Sequence, residues 1–368
     1  MHVVQILPAL EAGGVERGTL EIGAALVRAG HRSTVISSGG RLVPELVAAG
    51  SVHIEMPVHA KRIASLSQVG KLRNVFSGLG ADIVHARSRL PAWLAWWAIR
   101  RLAVDRRPRF VTTVHGLYTV NGYSGIMTRG ERVVAISASV RDYILANYPR
   151  CDPEIVRLIH RGVDATEFPR GHVPPAAWRT ALWEEFPELT GKRLLVLPGR
   201  LVRWKGGSTF LRLLAEVAPS REAVHGVLVG GPDRPRSAFP TELTRECGRL
   251  GLGGRVTFAG HRSDLREWLA SAELCFNLST HPEPFGRTVI EALSLGTPVV
   301  AFDSGGPAET VAACFPQGLV PDGDFEALVG RVAALLDGVM PEVRPCPFEL
   351  SRMQDETLRV YAELLAAD

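Results

Sequence analysis

Leu194-Leu-Val-Leu-Pro-Gly199-Arg200-Leu-Val-Arg-Trp-Lys205-Gly206-Gly207 decides how the chain is read. A short apolar run enters a glycine-bearing loop, and a helical pattern follows over residues 209–218. Strand, glycine loop and helix in that order open a doubly wound α/β domain. The N-terminus repeats the order, with a strand over residues 3–7, the pair Gly13-Gly14 and a helix over residues 16–29. Further apolar strands are expected at 33–37, 83–85, 110–115 and 132–136, then at 226–230, 255–259, 273–278 and 299–302. A proline-rich passage through Phe168, Pro169, Pro174 and Pro175 reads as a linker. At 368 residues the chain exceeds the roughly 250–300 at which a single core stops growing. Two facing Rossmann-like doubly wound domains with an interdomain cleft are therefore expected, one over 1–165 and one over 166–349. An amphipathic tail helix at 350–368 is expected to pack back on the first domain. Ligands belong at the carboxyl ends of the strands.

A composition of 46% hydrophobic and 22% charged residues suits a soluble globular enzyme. Cys151, Cys247, Cys275, Cys314 and Cys346 are scattered, odd in number and without a C-x-x-C pair. That points to reduced thiols in the cytosol and away from a zinc site or a disulfide framework. The start, Met-His-Val-Val-Gln-Ile-Leu, lacks a basic region followed by a long apolar one, so no signal peptide is expected. No apolar run approaches the roughly 18–20 residues that span a bilayer, so a soluble or peripheral protein is expected. The net charge of +4 is unevenly spread: residues 1–165 hold 21 Lys+Arg against 12 Asp+Glu, and residues 166–368 hold 21 against 26. A basic first half implies an anionic partner such as a phosphorylated acceptor, a membrane surface or nucleic acid, unless the imbalance is chance drift.

Chemistry concentrates in a few places. Glu283-Pro-Phe-Gly286-Arg-Thr-Val-Ile-Glu291 sets one carboxylate in a loop and another about two turns into a helix that ends at Gly296, with Pro298 opening a buried strand. The N–H groups of residues 285–288 at the helix start suit a polyhydroxylated, phosphorylated ligand. Arg200 and Lys205, a bidentate fork and a point charge in a glycine-rich loop, suit a diphosphate, whereas G-x-x-x-x-G-K-[ST] is missing and NTP hydrolysis is not expected. Gly13-Gly14 departs from G-x-G-x-x-G and reads equally as a phosphate-binding helix start or a plain tight turn. His85 and His115 both follow strands, where cleft residues stand, and His115 is the better functional candidate. Arg87, Ser88 and Arg89 are candidate anion contacts. Trp93, Trp96 and Trp97, followed by Arg100, Arg101, Arg106, Arg107 and Arg109, form either a buried helix or a membrane-interface helix, the buried reading being preferred. Asp322-Gly-Asp324 resembles a metal-binding D-x-D, but Asp324 is better read as a helix N-cap.

With these pieces placed, the chain resembles the retaining glycosyltransferases of family 4, which have the GT-B fold. The resemblance is carried by Gly13-Gly14, His115, Gly199-Arg200 with Lys205-Gly206, Gly230-Gly231, Phe258-Ala-Gly260 with Asp264, the Glu283-to-Glu291 unit, and Ser304-Gly-Gly306. Its cast is most similar to bacterial lipopolysaccharide-core sugar transferases. The resemblance implies that Arg200 and Lys205 hold the donor diphosphate, Glu291 the ribose hydroxyls and Glu283 the hydroxyls of the transferred sugar. Phe285, Gly286 and Arg287 would assist through their backbone, and Gly231, Gly260, His261 and Arg262 would lie along the nucleotide. His115 would sit by the reacting carbon, and Gly13 and Gly14 by the phosphates. Where the family often has P-N-G-V-D, this chain has His160-Arg161-Gly162-Val163-Asp164. The implied activity is metal-independent hexosyl transfer from a UDP- or GDP-linked sugar, with no further cofactor, to an anionic glycan or glycolipid in lipopolysaccharide-core biosynthesis. The first domain would be the acceptor side and the second the nucleotide-sugar side. No nucleic-acid partner is implied. Localisation would be cytoplasmic, either free or peripherally attached to the cytoplasmic face of the inner membrane. A nucleotide-sugar epimerase of the same fold, an NAD(P)-dependent oxidoreductase and a non-catalytic nucleotide-sugar-binding protein are the rival readings.

Overall fold

The computed structural model describes residues 1–11, 13–59, 67–234 and 237–366. The chain divides into two compact units, the first made of Met1–Arg161 with Leu350–Asp368 and the second of Gly162–Glu349. Each is built on one parallel sheet.

In unit 1 the strands are β1 (His2–Ile6), β2 (Arg32–Ser37), β3 (Val52–Glu55), β4 (Ile83–Ala86), β5 (Arg109–Val114), β6 (Arg132–Ala135) and β7 (Val156–Leu158), in the sheet order β3-β2-β1-β4-β5-β6-β7. The central strands are buried along their whole length, His2, Gln5 and His85 included, because helices cover both faces of the sheet. Helix Gly14–Arg28 starts two residues before the expected span, its N-cap Gly13 holding φ 139°. The last helix, Leu350–Ala366, is stitched into this core: Met353, Val360, Tyr361 and Leu364 pack with Val3, Ile22, Leu26, Ile83 and Val111. Residues 367 and 368 of the expected tail helix lie outside the described residues.

Unit 2 has β8 (Arg193–Pro198), β9 (Val224–Val229), β10 (Val256–Gly260), β11 (Ala272–Asn277), β12 (Val299–Phe302) and β13 (Leu319–Val320), in the order β10-β9-β8-β11-β12-β13. Reversal of the strand order between β8 and β11, as between β1 and β4 in unit 1, makes a topological switch point. There the loops leave in opposite directions and open a crevice. The proline-rich passage is no free linker, because it packs within unit 2. Phe168 is buried, the Gly171 N–H donates to Leu295 O at 2.9 Å, and His172 Nε2 lies 2.6 Å from Glu267 Oε2.

Helix Arg89–Ile99 combines the two readings of the tryptophan stretch. Leu94, Ala95, Ala98 and Ile99 are buried, while Trp93, Trp96 and Trp97 are only half-buried. Arg100 lies over the Trp96 ring at 4.7 Å and Arg129 over Trp93 at 5.3 Å. Asp324 caps helix Phe325–Asp337 by accepting from the Ala327 N–H at 2.9 Å.

Candidate active site

In unit 2, Arg200 and Lys205 lie in the loop after β8, and the segment holding Glu283 follows β11, so the switch point brings them together. Lys205 Nζ is 2.6 Å from Glu283 Oε2 and 4.7 Å from the centre of the Trp204 ring. The carboxylate is only 6% exposed, and Oε1 also accepts from Asn277 Nδ2 at 2.9 Å and from the Ser279 hydroxyl. A buried acid is tolerable here because a cation and two neutral donors take up its oxygens. The Thr280 N–H donates to Trp204 O at 2.8 Å and pins the two loops to each other. Gly206 is required: at φ 81°, an added Cβ would lie 2.1 Å from Leu278 O. Arg200 forms an ion pair with Asp233, while its side chain stays 61% exposed. A recess of about 660 Å³ opens beside this loop, lined in part by Val202, Arg203, Asp233, Ser237 and Phe239.

The other expected donor residues also stand at strand ends. Gly286 caps helix Arg287–Leu295 in the left-handed region, so the positive end of the helix lies next to Phe285, which is buried edge-on to Phe348. Arg287 Nε lies 3.4 Å from Glu291 Oε1, and Glu291 is 8% exposed. Helix Gly305–Cys314 packs its first residues against the Glu283 loop so tightly that a Cβ on Gly306 would come within 2.5 Å of Phe285 Cα. Gly231 has His261 beside it, and Gly260 ends β10 at φ 70°. Arg262 is a brace: it bonds Asp264 at 3.0 Å and Glu185 at 2.8 Å and lies over Trp268. Burial works to raise the Asp264 carboxyl, but the bonds from Arg262 and Trp178 outweigh it and hold the group below its ordinary range.

In unit 1, Gly13-Gly14 follows β1, Arg87 follows β4 and His115 follows β5. Arg161 links them, with Nη2 donating to Gly14 O at 2.5 Å and lying 3.4 Å from His115 Nδ1. His115 Nε2 is buried and has no hydrogen-bond partner among the described residues. Desolvation, then the charges of Arg161 and Arg87 and neighbouring His85, hold the His115 imidazole well below its ordinary range. His85 is structural, clamped between Tyr361 Oη and Thr113 Oγ1, each at 2.6 Å. Arg87 is turned inward and 2% exposed, with Nε donating to Gln5 Oε1 at 2.7 Å. Arg89 lies over Tyr118 at 4.6 Å and Tyr123 at 5.5 Å and donates to Ser124 Oγ. Ser88 is the N-cap of helix Arg89–Ile99, without a side-chain capping bond.

Residues 12–167 match the model of "Glycosyltransferase Family 4", and residues 192–338 match that of "Glycosyl transferases group 1". The two matches together span most of the chain, which is a glycosyltransferase of GT-B type. Its fold is that of a glycosyltransferase from Rickettsia africae, with a TM-score of 0.83 at 27% identity over 99% of this chain and 98% of that one. Anabaena HepE, solved with UDP-glucose, shares the fold at a TM-score of 0.76 and 20% identity, with each chain fully covered. D-inositol 3-phosphate glycosyltransferase 1 of Catenulispora acidiphila is 28% identical over 70% of this chain and 64% of its own length. The lipopolysaccharide core biosynthesis mannosyltransferase LpsB of Rhizobium meliloti is 30% identical over 38% of this chain and 40% of its own. The chain thus spans less than two thirds of the length of these curated relatives.

Several residues of this glycosyltransferase escaped the sequence reading. Asn277 and Ser279 complete the Glu283 site, and their signal was the polar Asn-Leu-Ser-Thr run closing an apolar strand at a switch point. Asp233 had no comparable signal, and the sequence marked Arg161 only as a departure, since their partners Arg200 and His115 lie far away in sequence. Among the described residues no group of three or more His, Cys, Asp or Glu is placed to hold a metal ion. No helix among them is long and apolar enough to cross a membrane.

Proposed function

We propose that the protein moves a hexose from a UDP- or GDP-linked sugar to an anionic glycan or glycolipid of the cell envelope, with retention at the reacting carbon, in lipopolysaccharide-core assembly. The observation that carries the reading is the gathering of Arg200, Lys205 and the positive end of helix Arg287–Leu295 at the carboxyl edge of one sheet. Breaking the bond from the anomeric carbon to the diphosphate leaves negative charge on the distal phosphate. Fixed cations and helix N–H dipoles at that point stabilise the departing group, each donor contributing about 3–4 kcal/mol. Lys205 is held by Glu283, and the exposed Arg200 can exchange Asp233 for a phosphate oxygen.

On this reading Glu291 takes the ribose hydroxyls, Glu283 the sugar hydroxyls, and the backbone at 285–287 assists both. Gly231, Gly260 and His261 lie along the nucleotide, with Arg262 bracing that wall. The Glu283 carboxylate, already bonded to Lys205, Asn277 and Ser279, is a poor nucleophile. That favours attack by the acceptor hydroxyl from the face the diphosphate leaves, over a covalent intermediate. LpsB supports the lipopolysaccharide assignment, and HepE supports a UDP-linked donor.

A panel of UDP-glucose, UDP-galactose, UDP-N-acetylglucosamine and GDP-mannose, scored first by thermal shift and then by transfer, tests the reading. Arg200→Ala and Lys205→Ala are each expected to lower kcat about 10²–10³-fold while the protein stays folded. A fully active double variant would exclude the diphosphate clamp.

A further inference from the structure

Arg161, between His160 and Gly162 and shortly after β7, is 5% exposed. Burying a guanidinium is costly unless its donors are matched. Here Nη2 is bonded to Gly14 O at 2.5 Å, and Nη1 lies 3.8 Å from Met353 Sδ of the last helix. The first helix makes room for it. A Cβ on Gly18 would lie 1.9 Å from Arg161 Nη1, so the guanidinium fills the space that a side chain would take on that turn. Glu16, one turn into the same helix, adds a favourable charge.

The same Nη2 faces His115 Nδ1 at 3.4 Å. A guanidinium carries five donors and no acceptor, so a ring nitrogen facing it must supply the lone pair. The single proton of a neutral imidazole then belongs on Nε2, the buried atom that no described protein group satisfies. Burial and the charges of Arg161 and Arg87 act together to keep the ring uncharged.

We propose that Arg161 is a positioning residue for His115: it fixes the imidazole as the Nε2–H tautomer and so presents a neutral hydrogen-bond donor to an oxygen of the bound substrate. The substrate half of the proposal rests on the glycosyl-transfer reading, while the tautomer half stands on unit 1 alone.

Nitrogen-15 spectra of the full chain labelled at histidine test the tautomer directly, with the His115 resonances assigned by their loss in His115→Gln. The expected result is an acceptor-type Nδ1 and a protonated Nε2. A proton on Nδ1, or an equal mixture, would overturn the proposal. In steady-state assays with the four nucleotide sugars, Arg161→Gln is expected to lower kcat/KM about tenfold, about 1.4 kcal/mol, with Arg161→Lys recovering part of the loss. A kcat/KM within twofold of the parent for Arg161→Gln counts equally against it. If the parent turns over none of the four donors, the glycosyl-transfer reading fails, and the nitrogen spectrum still decides the tautomer.

Discussion

His225 lies buried in β9, away from the candidate site. Its Nε2 is 2.9 Å from Thr257 Oγ1, and that hydroxyl donates to Glu188 Oε1 at 2.7 Å, so the imidazole is the donor in a short relay. Desolvation lowers it from 6.5 to about 4. Between those values the unfolded chain takes up a proton that the folded chain refuses. The stabilisation is therefore complete above pH 6.5 and lost as pH falls towards 4. Urea unfolding is expected to lose about 3 kcal/mol over that window from this group, and His225→Gln should flatten the profile by that amount. Superimposable profiles for the two proteins would rule out the assignment. Glu283 teaches a different lesson at the same scale. Its spacing from Glu291 marks a carboxylate pair and the nearby Asn277 and Ser279 take one oxygen, yet nothing local reveals that Lys205 from another strand loop already claims the other. Residue type gives the acid, and only tertiary contact gives its partners.

Among the elements, helix Leu350–Ala366 does the most for a distant part of the sequence, through Tyr361 in the core of unit 1. Tyr361→Phe keeps the ring but deprives buried His85 Nδ1 of its partner at 2.6 Å. Leaving that atom unsatisfied is expected to cost about 1–3 kcal/mol, read as a lower urea midpoint with little change in slope. An unchanged midpoint would mean that the hydroxyl contributes nothing net. Most elements were legible because their apolar runs are continuous, as in β8 and β12, or strongly periodic, as in helix Gly207–Val217. Two strands were not. β3 is Val-His-Ile-Glu, half polar at the sheet edge, and β7 is three residues of intermediate burial. The proline-rich passage was misread for a related reason. Proline reports that regular structure stops, not whether the chain leaves the surface, and Phe168 and His172 hold this passage down.

On the scale of the molecule, charge is the most informative property left over from the fold. Residues 1–165 carry a surplus of nine positive charges and residues 166–368 a deficit of five. The half-buried Trp93, Trp96 and Trp97 lie among Arg100 and Arg129 on the basic part. An anionic, membrane-held acceptor accords with that distribution. Co-sedimentation with liposomes is expected to rise with anionic lipid content and fall between 0.05 and 0.5 M salt, roughly as the screening length shortens. Binding indifferent to both would remove the electrostatic argument. The two ends of the chain also set an order of events. The seven strands of unit 1 are synthesised first, whereas the helix that packs onto Val3, Ile83 and Val111 is the last described element to leave the ribosome. During translation unit 2 can finish its own sheet while the older half still waits for its cover. A chain truncated after residue 349 would therefore carry a protease-resistant second half behind a first half still showing apolar surface to chaperones.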